Sequence, residues 1–118
     1  MIKAQTISIW RDEEADGGMP SQQLVKALAD VAKSGATRQL IRKGEDRNVE
    51  CELRVPLLQD CYVHSDELGR VLRTVCRAAI EAGQAGDHFI IDLHVGPDSL
   101  LVVQAKRANP QLEQRSRN

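Results

Sequence analysis

The stretch DHFIIDLHVGPDSLLVVQAKR, Asp87 to Arg107, decides how this chain reads. Two apolar-rich runs, His88 to Val95 and Ser99 to Lys106, flank Gly96-Pro97-Asp98. Glycine, proline and aspartate are turn chemistry, and strand side chains alternate between faces. The stretch therefore predicts an antiparallel hairpin. One face gathers Phe89, Ile91, Leu93, Leu101, Val103 and Ala105, all apolar. The other mixes His88, Ile90, Asp92, His94, Leu100, Val102, Gln104 and Lys106. A turn at Gly96-Pro97-Asp98 sets Ile90 near Gln104, Asp92 near Val102 and His94 near Leu100.

The apolar face needs a cover, and the preceding segment supplies one. Leu68, Val71, Leu72, Val75, Cys76, Ala79 and Ile80 form an unbroken helical stripe within Asp66 to Gln84. Ser65 is the expected N-cap. Asp66 and Glu67 fall in the first turn, where the helix dipole favours negative charge. Gly83 and Gly86 mark the end. Burying each large aliphatic of the stripe is worth roughly 1.5–3 kcal/mol.

Before that helix, Val49 to Leu57 alternates strictly. Val49, Cys51, Leu53, Val55 and Leu57 share one face, and Asn48, Glu50, Glu52 and Arg54 the other. This pattern predicts an antiparallel strand with one wet face, ending at or on an edge near Pro56. Arg38 to Lys43 reads as a short strand and Gly44 to Asn48 as a charged turn. Residues 22–34 predict a short helix with Leu24, Val25, Leu28, Ala29 and Ala32 inward, Ser21 as N-cap and Gly35 as its left-handed terminator. Ile2 to Trp10 predicts a first strand, followed by the acidic loop Arg11 to Gly18.

The expected fold class is α+β: a two-layer sandwich in βαββαββ order. It would be ferredoxin-like or a related mainly antiparallel sheet, with two helices on one face. Residues 1–107 read as one domain and 108–118 as a polar tail. The 118 residues suffice for one domain with a core. Hydrophobic residues at 42% and charged residues at 28% place the chain among globular proteins.

The totals also narrow the function. A net charge of −1 gives no global attraction to nucleic acid or anionic membrane. Aromatics are 3%, which leaves few stacking platforms for single strands. Cys51, Cys61 and Cys76 lack CxxC spacing and read as reduced thiols. No segment resembles a signal peptide or a membrane span, so the expected location is cytoplasmic. Gly17-Gly18, Gly83 and Gly86 form no phosphate-cradling loop. Neither Ser65 nor Ser99 sits in a nucleophile elbow. No cofactor, bound metal or catalytic residue is expected.

Four features stand out. Ile90, Leu100 and Val102, ringed by Asp92, His94 and other polar groups, resemble an interface centre with a polar rim. Asp12, Glu13 and Glu14, with Asp16, offer a second, acidic contact. His88, Asp92 and His94 share a face and form an alternative metal or acid–base cluster, with Cys61 and His64 as further ligands. Arg70, Arg73 and Arg77 form a ridge suited to phosphates or an acidic partner, with Glu67 and Glu81 placed to pair with Arg70 and Arg77. The leading expectation is a non-enzymatic protein-interaction domain of bacterial or phage type, inhibitor-like, immunity-like or an adaptor. It would act as a homodimer or through a partner-binding sheet face. A small metal-binding or enzymatic domain and a weak nucleic-acid binder are the alternatives.

Overall fold

A computed structural model gives the architecture and describes residues 2–11, 22–54 and 61–108. The elements run β1 (Gln5–Ser8), β2 (Gln22–Gln23), α1 (Leu24–Lys33), α2 (Gly35–Asp46), β3 (Glu50–Arg54), β4 (Tyr62–Val63), α3 (Ser65–Ala82), β5 (His88–Gly96) and β6 (Leu100–Ala108). The class is α+β. Four strands form one mixed sheet in the order β1-β6-β5-β3, and β2 pairs with β4 in a second, two-stranded sheet.

The long helix and the hairpin form as the sequence predicts. On α3, Leu68, Val71, Leu72, Val75, Cys76, Ala79 and Ile80 are all buried. They meet the sheet face that carries Ile7, Phe89, Ile91, Leu93, Leu101 and Val103, also buried. His64, rather than Ser65, is the residue before the first turn of α3, and it makes no side-chain capping bond. The Ser65 hydroxyl instead donates to Gln22 Oε1 at 2.7 Å, tying α3 to β2.

The expected strand at Arg38 to Lys43 is helix. Those residues lie inside α2, which also absorbs most of the charged turn expected at Gly44 to Asn48. The reason lies at Ser34. Its extended backbone ends α1, and its Oγ accepts from the Thr37 amide at 3.3 Å while donating to Thr37 Oγ1 at 2.9 Å. An N-cap hydroxyl thus restarts the helix, and Gly35 begins α2 instead of terminating α1. The element order therefore departs from βαββαββ, the pattern on which the ferredoxin-like expectation rested, and three helices replace two. The α2 end is held by Arg47, whose Nη1 donates to the Ile80 carbonyl at 3.0 Å.

The buried stripe of α1 is rotated from the expected one. Leu24, Ala27, Leu28 and Val31 face inward, while Val25, Ala29 and Ala32 are exposed. On β3 the alternation holds, but the pairing is parallel, not antiparallel: Glu50 opposes His88 and Arg54 opposes Asp92 on β5. A strand followed by an 18-residue helix and then a second strand returns in the same direction, which is the parallel crossover. Ser21, residues 12–18 of the acidic loop, Val55, Pro56 and Leu57, and the tail from Asn109 lie outside the described residues.

Candidate functional site

The hairpin places its mixed face on the outer side of the sheet, opposite the helices. Its register differs by two positions from the expected one. Gly96 opposes Leu100, so His94 faces Val102, Asp92 faces Gln104 and Ile90 faces Lys106. The loop is Pro97-Asp98-Ser99, with Asp98 and Ser99 at φ 64° and 55°. A shift of two keeps every residue on its face. The composition of the outer surface therefore stands as predicted, while the neighbours change.

Four strands contribute to that surface. Thr6 and Ser8 of β1 oppose Val102 and Leu100. Glu52 and Arg54 of β3 oppose Ile90 and Asp92. Ile90, Leu100 and Val102 are half-buried and alternate with the buried row Phe89, Ile91, Leu93, Leu101 and Val103. Around them stand the exposed Glu52, His94 and Lys106 and the half-buried His88 and Asp92.

The charges on this face are paired, but not as a metal cluster. Asp92 Oδ2 lies 3.3 Å from His94 Nδ1 and 3.7 Å from Lys106 Nζ. His88 turns the other way, to β3: its Nδ1 is 3.0 Å from Glu50 Oε2 and its Nε2 3.7 Å from Glu52 Oε2. His88, Asp92 and His94 thus do not converge. Each histidine is within hydrogen-bonding or ionic reach of a carboxylate of its own. Among the described residues no group of three His, Cys, Asp or Glu side chains is placed to hold a metal ion. His64 packs edge-on against the Trp10 ring, centroids 4.8 Å apart. Cys61 is buried.

The arginine ridge is a separate surface on α3. Arg70 and Arg77 are exposed, and Arg73 is partly covered, its guanidinium folded close over Gly69. No ion pair among the described residues joins Arg70 or Arg77 to Glu67 or Glu81, so the expected pairing is not formed. Asp12, Glu13, Glu14 and Asp16 lie outside the described residues. No described helix is long and apolar enough to cross a membrane.

Sequence reasoning missed the part β3 plays. The alternation makes Glu50, Glu52 and Arg54 a wet face, and parallel pairing brings that face beside the hairpin's outer surface. The signal was the strand–helix–strand spacing. No protein-family model, curated protein or solved structure matches the chain.

Proposed function

We propose that the chain is a small non-enzymatic interaction domain that binds another protein through the outer face of its four-stranded sheet, with a second copy of itself as the first partner. One observation carries the reading: Ile90, Leu100 and Val102 form an aliphatic centre on the face opposite the helices, rimmed by paired charges. A dry centre with a polar rim is how protein interfaces are built. A sheet face suits a twofold contact because one patch meets its own copy. The Glu52–Arg54 and Asp92–Lys106 pairs make the rim self-complementary, since each face presents both signs. An inhibitor, immunity or adaptor role, of bacterial or phage type and in the cytoplasm, would use the same face against a different protein. The acidic segment Asp12, Glu13 and Glu14 would be its second contact.

Light scattering on the wild type and on the double variant Leu100→Glu, Val102→Glu tests this. The expected result is a dimer that becomes a monomer in the variant, with an unchanged circular dichroism spectrum. A wild type that is monomeric, and whose binding behaviour survives both substitutions, would overturn it.

A further inference from the structure

Beneath α2 lies a second feature, remote from the outer sheet face. Val31, Thr37, Ile41, Leu53, Leu72 and Ile91 line an almost wholly apolar cleft of about 340 Å³, the open solvent at its mouth included. The same cleft is lined by two thiols, Cys51 of β3 and Cys76 of α3. Each thiol is the largest influence on the other's ionisation. Cys51 is half-buried and Cys76 is buried. Cys61, the third thiol, lines a different cleft with Ile9, Trp10 and Val95 and takes no part.

Two thiols that share one cleft across a strand–helix packing seam are unusual for inert core cysteines, because their chemistry is then a joint one. A thiol that donates to its neighbour stabilises a thiolate there. Cys76 is the one favoured, with the Arg77 guanidinium adding to the effect. We infer that Cys51 and Cys76 form a redox-active dithiol that hydrogen peroxide oxidises to a disulfide, stapling β3 to α3. The cleft has room for a reagent of that size and offers little polar surface to a larger one.

The chemistry balances in two steps. The Cys76 thiolate attacks one peroxide oxygen, the O–O bond breaks and hydroxide leaves, which gives a sulfenic acid at Cys76. The Cys51 sulfur then attacks the Cys76 sulfur. The S–S bond forms, the S–O bond breaks, and the oxygen leaves as water with the proton of Cys51. In total, two thiols are oxidised and one peroxide is reduced to two waters. A dithiol reductant reverses the bond by exchange.

The test uses the full chain. Reduced protein is treated with hydrogen peroxide, quenched, alkylated under denaturing conditions and mapped by mass spectrometry without reduction. The expected product is a peptide pair joined through Cys51 and Cys76, lighter by two hydrogens and lost on adding dithiothreitol. In Cys51→Ser the sulfenic acid has no partner, and dimedone should label Cys76. Folding of that variant is checked by circular dichroism. If it does not fold, the wild-type map decides alone. A wild type in which both thiols stay alkylatable, or in which Cys76 proceeds to sulfinic acid without a cross-link, overturns the inference. So does a bridge that involves Cys61.

Discussion

His94 and Val102 stand directly opposite each other across the β5–β6 ladder, because the hairpin closes through Pro97-Asp98-Ser99 and not one step earlier. The exchange is paid for at Ser99, which sits at φ 55°, where an L side chain with a Cβ is disfavoured. Asp98 at φ 64° is better tolerated, since aspartate visits that region more readily. The Ser99 carbonyl also accepts from the Ile9 amide at 3.1 Å, so the loop helps to seat the chain after β1.

Ser99→Gly should therefore stabilise the protein by roughly 0.5–1 kcal/mol, because the backbone strain goes and the carbonyl contact stays. Ser99→Val should destabilise by more than that. Thermal melts of both variants check the register. If the glycine variant melted lower than the wild type, the left-handed loop would be the wrong geometry.

This hairpin also shows what the sequence carried and what it did not. Alternation specifies faces, so the mixed surface of Ile90, Asp92, His94, Leu100 and Val102 was legible, and an even offset in register could not disturb it. Alternation does not specify direction. Glu50, Glu52 and Arg54 look alike in a parallel or an antiparallel pair, so the junction of β3 with the hairpin had to come from the structure. Arg38 to Lys43 misled for a different reason. It holds only two apolar residues, Leu40 and Ile41, adjacent to each other and both half-buried. Neither period is established by so short a pattern. The Ser34 cap three residues ahead of Thr37 was the better signal.

Gly44 and Gly35 make a matched pair of tests on α2. A Cβ on Gly44 would stand 2.8 Å from the Val49 carbonyl oxygen and 3.2 Å from Ile80. The backbone oxygen cannot yield as a flexible side chain would. Gly44→Ala should cost about 1–3 kcal/mol through overpacking. A Cβ on Gly35 meets nothing within 4 Å, so Gly35→Ala should be neutral or stabilise by up to about 0.5–1 kcal/mol through helix propensity. Denaturant melts would show the two alanines moving the midpoint in opposite directions, or only Gly44→Ala moving it.

Leu68 and Val25 test the helix faces. Leu68 is 0% exposed and belongs to the stripe that covers the sheet, whereas Val25 is 58% exposed. Leu68→Ala should cost about 2–5 kcal/mol, the transfer term plus the cavity. Val25→Ser should stay within about 0.5 kcal/mol of the wild type. Equal losses at both sites would mean that α1 packs with Val25 inward, as its sequence spacing predicts.

The thiol pair makes a prediction about pH. Cys76 is held below the ordinary thiol value, first by the hydrogen bond from Cys51 and then by Arg77, with burial opposing them. Cys51 is pushed up, by its hydrogen bond to Cys76 and by burial. An acid held low ionises at lower pH, so alkylation of Cys76 by iodoacetamide should rise at a lower pH than alkylation of an ordinary thiol. Cys51→Ala removes the hydrogen-bond donor and leaves burial to outweigh Arg77. The rate profile at Cys76 should then move to higher pH. Cys51→Ser restores a donor and should move it part of the way back. Peptide-level rates across the pH range separate this from a general loosening of the core, which would speed alkylation in both variants alike and leave the two profiles at the same pH.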